Sequence, residues 1–215
     1  DGTLIIEIEY LQNFLKNLEF ERFYFDRPFY YSANSINKLF KNVGMTLYDI
    51  EKIDVHGGSL RCFIKNSLRP KITNRCKKIL NDEKQSLNIN SFKKFNKQIY
   101  LNSKILKDQL ISFNKKGLNI IGYGSPARVS TITNVGKINS NLINYIIDDS
   151  PLKQNRYSPG MHIKILPRKN NINKKIDIVL VFAYEYFKDI KKYFSKIKVK
   201  FYKPIPFGTL RWNFY

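Results

Sequence analysis

Apolar residues in the second half of the chain form short continuous runs that are separated by helical patterns. The runs lie at 118–122, 143–147, 176–183 and 199–202. Near-continuous apolar strands are typical of a parallel sheet that is buried on both faces. Helical patterns at 129–135 and 187–194 alternate with these strands. The alternation predicts an α/β fold with a Rossmann-like, doubly wound parallel sheet at 116–215.

The first half of the chain mixes strand and helix patterns. Residues 4–9 form a short apolar strand that runs directly into a helical pattern, as at the end of a larger α/β domain. Ser32 is expected to cap a helix that ends at Gly44. Strands at 45–55 and 59–64 and a mostly helical region at 74–113 follow. We therefore predict three parts, at 1–20, 21–115 and 116–215.

The formal net charge of +21 has two interpretations. Phosphate contacts need Lys and Arg, so the charge could indicate nucleic-acid binding. Lys, Asn and Ile are in excess together, however, and the basic residues are scattered along the chain without a nucleic-acid-binding motif. We favour compositional bias, and expect the basic surface to attract anionic substrates.

Several classes of protein are disfavoured by what the sequence lacks. It has no apolar run long enough to cross a membrane and no signal peptide, so we expect a cytoplasmic protein. Cys62 and Cys76 form no CxxC pair, so a metal site from this chain alone is not expected. The first residue is Asp1 rather than Met, and we expect the chain to be part of a longer polypeptide. The sequence does not indicate an oligomeric state.

The segment 122–128 (GYGSPAR) lies between a predicted strand and a predicted helix. Small residues such as Gly124 and Ser125 let backbone N–H groups approach a ligand, and the helix N-terminus adds about half a positive charge. Arg128 adds a fixed charge that can bind a phosphate bidentately. An ordinary tight turn has the same short pattern, but the position between strand and helix favours phosphate binding.

Asp148 and Asp149 end the strand that follows this helix. An acidic residue at this place in a doubly wound sheet commonly contacts a ribose or a base. Capping of the following turn would require the same residue type. The local pattern leaves both roles open.

Two further segments of the first half combine charged and polar side chains. The segment 56–61 (HGGSLR) places His, Ser and Arg at the start of a strand, although a lone histidine is more often structural than catalytic. The segment 24–28 (YFDRP) places an acid and a base among aromatic residues. It fits a pocket wall or a core, and a surface ion pair there would contribute little.

Taken in order, these segments resemble the C-terminal two-thirds of the sugar C-methyltransferases, which methylate a keto-sugar attached to a nucleoside diphosphate. HGGSLR and the segment 153–165 (KQNRYSPGMHIKI) are the most specific parts of the resemblance. The resemblance covers nearly the whole chain, at 4–10, 20–32, 56–61, 122–128, 135–149, 153–165, 179–183 and 204–206.

The resemblance implies three domains: an N-terminal zinc-binding domain, a central S-adenosylmethionine domain and a C-terminal Rossmann-like domain that helps to bind the nucleotide sugar. This sequence corresponds to the third domain and the closing strands of the second. The part at 1–20 would then be a remnant of the S-adenosylmethionine domain, 21–115 a connecting region, and 116–215 the sugar-nucleotide-binding domain. The cofactor would be bound mainly, and zinc solely, by the part before residue 1, so we expect no methyl transfer by this chain alone.

The resemblance also suggests site residues. The catalytic positions are Tyr24, Asp26, Arg27 and His56. The expected substrate-binding residues are Gly57, Ser59, Arg61, Tyr123, Gly124, Ser125, Arg128, Asp148 and Lys153.

One position departs from the family pattern. The usual motif is Tyr-His-Glu-His, and Arg27 stands where the family has its favoured catalytic base, a role that an always-protonated arginine cannot take. Asp26 or His56 could be the base instead. The substrate could need no such proton removal, as in methylation at oxygen or nitrogen, or the chain could bind without catalysing. We prefer a working methyltransferase with an altered substrate.

Two other classes of protein remain as alternatives. A basic nucleic-acid-binding module would show affinity that falls steeply with salt and no preference among nucleotides. A non-catalytic NAD-type Rossmann protein ranks last, because the turn has only Gly122 and Gly124 and lacks the third glycine of the dinucleotide motif.

Overall fold

The computed structural model describes residues 2–24, 27–55, 57–66, 70–172 and 175–209. The chain divides into two compact units. Unit 1 consists of Asp1–Glu19 and Phe25–Asn96, and unit 2 consists of Phe20–Tyr24 and Lys97–Tyr215. This division differs from the predicted boundaries, because the predicted remnant at 1–20 shares unit 1 with much of the predicted connecting region.

Unit 1 contains a three-stranded antiparallel sheet with the strand order β1-β3-β2. β1 pairs with β3 along its whole length, from Thr3 opposite Lys65 to Glu9 opposite Ser59, which explains why the predicted remnant is not a separate unit. The elements are β1 (Thr3–Glu9), α1 (Leu11–Asn17), α2 (Ala33–Asn42), β2 (Thr46–Ile53), β3 (Ser59–Lys65), α3 (Asn74–Ser86) and the start of α4 (Ile89–Lys115).

The predicted cap at Ser32 is confirmed. The Ser32 side chain accepts a hydrogen bond from the Ser35 N–H, and the Ser35 hydroxyl accepts one from the Ser32 N–H, which forms a capping box. Helix α2 packs on a core of buried residues from the sheet and α3. This core consists of Tyr10, Ala33, Ile36, Leu47, Ile50, Leu60, Cys62, Ile64, Cys76 and Ile79.

Unit 2 contains the predicted α/β sheet, with the strand order β6-β5-β4-β7-β8-β9. Neighbouring strands from β6 to β8 are parallel, and β9 is antiparallel to β8. The elements after α4 are β4 (Ile120–Tyr123), α5 (Arg128–Gly136), β5 (Ile146–Ile147), β6 (Ile165–Leu166), β7 (Ile178–Val181), α6 (Phe187–Tyr193), β8 (Lys200–Lys203) and β9 (Gly208–Thr209).

All four predicted apolar runs of the second half contain a strand of this sheet, which confirms the Rossmann-like fold class. Strands β6 and β9 were not predicted, since each has only two residues and no pattern of its own. In the strand order, β5 and β6 lie on one side of β4, and β7 lies on the other side of it. The order therefore reverses between β4 and β7, and ligands of open α/β sheets bind at the carboxyl end of such a reversal.

Candidate functional site

Gly124 begins the turn that leads from β4 to α5. Its φ angle is 80°, and its N–H donates to the carbonyl of Ile147 at 2.7 Å. A Cβ added at Gly124 would lie 2.5 Å from the Cβ of Ala183, just beyond β7. The fold itself therefore requires a glycine here, both for its left-handed conformation and for its close approach to Ala183.

Asp148 directly follows β5, and its carboxylate contacts the same turn. Its Oδ2 accepts a hydrogen bond from the Ser125 N–H at 2.5 Å, and its Oδ1 accepts one from the Ser150 N–H at 2.8 Å. The Nζ of Lys153 lies 3.8 Å from Oδ2, and Asp148 is 8% exposed. A protein carboxylate thus already takes the turn amide of Ser125 and complements the partial positive charge at the start of α5.

Arg128 is partly buried in a cluster of polar side chains at the start of α5. Its Nη2 lies 2.5 Å from Glu185 Oε1, and its guanidinium carbon lies 4.5 Å from the centre of the Tyr184 ring. The Arg128 side chain is 15% exposed, and its Nη1 has no hydrogen-bond partner among the described residues. Arg128 is therefore held by Glu185 and Tyr184 rather than projecting freely from the turn.

Tyr184 connects this cluster to the short segment 20–24. The Tyr184 hydroxyl donates to Glu21 Oε1 at 2.8 Å, and Glu21 is 1% exposed in a one-turn 3-10 helix. Burial, and then the negative charge of Glu21, raises the pKa of Tyr184, so the hydroxyl stays a donor. The Oε2 atom of Glu21 has no hydrogen-bond partner in the described part of the chain.

Asp149 lies at the centre of a second network at the carboxyl edge of the sheet. It accepts hydrogen bonds from the Tyr123 hydroxyl and from Arg168 Nε, both at 2.8 Å. The guanidinium of Arg168 lies 3.6 Å from the centre of the Tyr193 ring, and Tyr193 stacks on Tyr123 with 6.2 Å between ring centres. Burial and the bond to Asp149 raise the pKa of Tyr123, so this hydroxyl also remains protonated.

Two clefts open at this edge and share Asp149 and Tyr193. The switch-point cleft, with a volume of about 390 Å³, is lined by Tyr123, Gly124, Asp148, Lys153, Tyr186 and Tyr193 among others. The basic cleft, with a volume of about 770 Å³, is lined by Arg168, Lys169, Lys192, Tyr193, Lys196 and Ile197 among others.

Four of the expected substrate-binding residues of unit 2 meet in the switch-point cleft: Tyr123, Gly124, Asp148 and Lys153. Ser125 and Arg128 belong to the adjacent turn and helix start without lining either cleft. Tyr186, Tyr193 and Arg168 also line the clefts, although the sequence did not indicate them. The two tyrosines lie seven residues apart at the start and end of the α6 region, a spacing that places them on one helix face and could have indicated them.

The expected residues of unit 1 have internal partners. Arg61 Nε donates to Glu7 at 2.7 Å and its Nη1 to Glu51 at 3.3 Å, so it joins the outer strands β1 and β2 across β3. Ser59 is 3% exposed and donates its hydroxyl to the carbonyl of Val55 at 3.0 Å. These contacts explain both residues as parts of the hairpin.

The glycines of HGGSLR have positive φ angles, 80° at Gly57 and 105° at Gly58. An added Cβ at Gly58 would lie 2.0 Å from the side-chain amide of Asn13, so the close neighbour of this glycine is a residue of unit 1 itself. His56 and Asp26 lie outside the described residues.

Tyr24 and Arg27 fall on different sides of the division between the units. Tyr24 belongs to unit 2, and Arg27 belongs to unit 1, where its guanidinium forms an ion pair with Glu9. The Arg27 side chain is 39% exposed and that of Glu9 is 18% exposed. The position that the resemblance assigns to the family's base is thus occupied by a paired cation.

The described residues contain no group of three or more His, Cys, Asp or Glu side chains that could hold a metal ion. In the same part of the chain, every helix is too short or too polar to cross a membrane.

The C-methyltransferase C-terminal domain family matches this chain at residues 54–206. This range includes β3, both clefts and the parallel strands of unit 2. The chain therefore belongs to the C-methyltransferase C-terminal domain family, which confirms the resemblance predicted from the sequence.

The chain is also similar to the C-methyltransferase NovU of Streptomyces niveus. The two are 25% identical over an alignment of 217 residues, which covers 96% of this chain and 50% of NovU. The chain thus spans about half the length of this curated relative.

Proposed function

We propose that this chain is the C-terminal part of an S-adenosylmethionine-dependent methyltransferase that acts on a nucleoside-diphosphate keto-sugar, and that unit 2 binds the sugar nucleotide. The family match at 54–206 carries this proposal. The sheet supports it, because the switch-point cleft lies where the order of parallel strands reverses, between β4 and β7.

The chemistry of the switch-point cleft suits a ring that carries hydroxyl groups. Tyr123, Tyr186 and Tyr193 provide aromatic surface, and Asp148 and Asp149 provide acceptors for hydroxyl donors. Gly124 and Ser125 shape the adjacent turn, and Lys153 is the cation of this cleft. We expect Arg128 to act as a positioning residue, because Glu185 and Tyr184 already engage its guanidinium.

Unit 1 is proposed to contribute the closing strands of the cofactor-binding domain. β1 lies at the edge of its sheet, and its residues Leu4 and Ile5 are 42% and 54% exposed. An exposed apolar edge strand of this kind is expected to pair with a further strand in the longer protein. The described residues of unit 1 offer no glycine turn between a strand and a helix of the kind that holds a nucleoside cofactor. S-adenosylmethionine would supply the methyl group and would have to be held mainly by residues outside this chain.

The hypothesis for the catalytic residues comprises Tyr24, Asp26, Arg27 and His56, and Gly57, Ser59 and Arg61 are proposed to bind the substrate. The ion pair of Arg27 with Glu9 favours a reaction that draws no proton to this position. A second candidate function follows from that contact. The chain would then belong to a paralogue that methylates oxygen or nitrogen, or that binds the sugar nucleotide without catalysing.

Calorimetric titration of the 215-residue chain with dTDP, UDP, CDP, GDP and NAD, at low and moderate salt, tests the proposed substrate class. We expect saturable binding of one nucleoside diphosphate that persists at moderate salt. Lys153→Ala should weaken it, because this cation lies in the switch-point cleft. Lys188→Ala is the matched control, since Lys188 is exposed and lines neither cleft.

Two results would contradict the proposal. Binding without preference among nucleotides that declines with salt as steeply as binding of an oligonucleotide would favour the nucleic-acid-binding alternative. Preference for NAD over every nucleoside diphosphate would favour the dinucleotide-binding alternative.

A further inference from the structure

We infer that the basic cleft, rather than the glycine turn, holds the diphosphate of the sugar nucleotide. The inference rests on the proposed function and names the part of unit 2 that recognises the phosphates. It differs from the expectation for a Rossmann-like sheet, in which the turn after the first strand holds them.

The charges that line the basic cleft are unbalanced. Among the described residues, Arg168, Lys169, Lys192 and Lys196 line this cleft together with one carboxylate, that of Asp149. Asp149 already accepts hydrogen bonds from Tyr123 and Arg168, so it does not compensate the lysines. Lys192 has an exposed ion pair with Asp189, and Lys169 and Lys196 have no ion pair among the described residues.

Arg168 is arranged to receive an anion. Its Nε is bonded to Asp149, and its guanidinium lies 3.6 Å from the centre of the Tyr193 ring, so the side chain is fixed before a ligand arrives. Its Nη1 and Nη2 atoms make no hydrogen bond within the described ranges. A fixed guanidinium with two open nitrogens matches the spacing of phosphate oxygens.

The switch-point cleft has the opposite balance. Asp148, Asp149 and Asp189 line it together with one cation, Lys153. A diphosphate at the turn would meet the carboxylate of Asp148, which already accepts the Ser125 N–H at 2.5 Å. The negative charges of the diphosphate and of Asp148 would repel each other there, so this cleft suits the hydroxylated part of the ligand.

One ligand can occupy both clefts, because they share Asp149 and Tyr193. The apolar side chains of Ile172 and Ile197 line the basic cleft beside its cations. The structure thus assigns the sugar or nucleoside hydroxyls to the switch-point cleft and the diphosphate to the basic cleft.

The test compares two double variants of the 215-residue chain. Lys169→Ala with Lys196→Ala removes two cations of the basic cleft. Lys164→Ala with Lys188→Ala is the control, because both lysines are exposed and line neither cleft. This pair of substitutions removes the same charge as the cleft variant. Each chain is titrated with inorganic pyrophosphate and with dTDP, UDP, CDP and GDP at moderate salt, and its fold is checked by circular dichroism.

We expect the cleft variant to raise the Kd for pyrophosphate and for the preferred nucleoside diphosphate roughly tenfold, and the control by about twofold at most. Arg168→Lys keeps the charge but loses the planar guanidinium with its paired N–H donors, so it should also weaken binding. This third variant provides a readout that depends on geometry rather than on net charge.

The outcomes separate this inference from the proposed function. One outcome is selective binding of a nucleoside diphosphate whose affinity is lowered equally, or not at all, in the two double variants. It would overturn the inference and leave the proposed function standing. Pyrophosphate binding that only the cleft variant weakens, without preference for any nucleoside diphosphate, would support the cleft and contradict the proposed function. Absence of binding to all five ligands in the unsubstituted chain would overturn both.

Discussion

The two units use their charged residues differently. In unit 1, Arg61 is paired with Glu7 and Glu51, and buried Glu83 accepts the N–H groups at the start of α2. At the carboxyl edge of unit 2, Lys169 and Lys196 have no ion pair among the described residues. Polar groups that satisfy one another stabilise a fold, whereas uncompensated charge around a cleft is available to a ligand. The comparison indicates that ligand binding by this chain belongs mainly to unit 2.

The largest effect that the comparison predicts is on the stability of unit 1. Glu83 is 1% exposed, and it accepts the N–H groups of Ala33 at 2.6 Å and Asn34 at 2.7 Å and the Asn34 side-chain amide at 2.8 Å. Glu83→Ala leaves these donors buried, so the free energy of unfolding should fall by roughly 4 kcal/mol. Urea denaturation followed by far-ultraviolet circular dichroism measures the change.

Asp82→Ala is the matched control for Glu83, because Asp82 is the preceding, exposed residue of the same helix. It should change stability by less than about 0.5 kcal/mol. Equal destabilisation by the two substitutions would contradict the view that unit 1 depends on its internal polar contacts.

A smaller loss is expected at the turn of unit 2. Gly124→Ala places a Cβ 2.5 Å from the Cβ of Ala183 at a φ of 80°, so it should cost about 3 kcal/mol of stability. Gly117→Ala should cost about 1 kcal/mol, because Gly117 has a φ of 69° but no atom within 4 Å of the added Cβ. The difference between their thermal unfolding midpoints isolates the contact with Ala183. If both variants melt together, close packing does not explain Gly124.

A pH effect of about 1 kcal/mol is expected for Asp49 in unit 1. Burial alone would raise the pKa of Asp49, but hydrogen bonds from Arg75, Thr73 and the Ile50 N–H outweigh it and hold the pKa below its ordinary value of 3.8. The ionised carboxylate therefore stabilises the fold at pH values above the ordinary pKa of 3.8. This contribution to stability disappears as the pH falls through the lower pKa that Asp49 has in the folded state. Asp49→Asn should be less stable than the unsubstituted chain at neutral pH and equal to it in strong acid.

Urea midpoints across the acid range measure this effect. Glu51→Gln serves as the comparison, because the Glu51 side chain is 38% exposed and its ion pairs are longer, at 3.3 Å to Arg61 and 4.0 Å to Arg75. A difference between Asp49→Asn and the unsubstituted chain that persists unchanged in strong acid would show that the hydrogen-bond geometry, rather than the charge, matters.

The smallest predicted effect concerns the two cysteine thiols, which we expect not to react in the folded chain. Burial raises the pKa of Cys62 to about 12 and that of Cys76 to about 11, and both thiols are 0% exposed. A disulfide reagent at mildly alkaline pH should therefore leave the folded chain unlabelled and react with both thiols in urea. Glu83→Ala should speed the labelling, since it destabilises the unit that encloses them. Rapid labelling of the unsubstituted chain would indicate that unit 1 opens readily.

Much of the fold could be predicted, because its signals are local. Apolar runs predict four strands of unit 2, and Ser32 predicts the start of α2. Pairing of β1 with β3 could not be predicted, since residues fifty or more positions apart meet there. The same holds for Glu83, whose partners lie 49 and 50 residues earlier in the chain.

The candidate site was predictable only in part. Tyr123, Gly124, Asp148 and Lys153 carry motif signals, and they meet in one cleft. The basic cleft takes its cations from two separate segments, near 168 and 196, in a chain with 38 Lys and Arg residues. In such a sequence no single lysine stands out, so the cleft emerges only when the fold brings these segments together.

The division of the chain has a consequence for how such proteins can recombine. The backbone passes from one unit to the other three times, after residues 19, 24 and 96. Unit 2 therefore includes residues 20–24, and with them the Glu21 carboxylate that accepts the Tyr184 hydroxyl. A genetic exchange with one crossover near residue 96 would separate that carboxylate from its tyrosine. Successful chimaeras of this family should thus inherit residues 20–24 and the C-terminal unit from the same parent. The residues between them, 25–96, belong to unit 1, so one crossover transfers both units together.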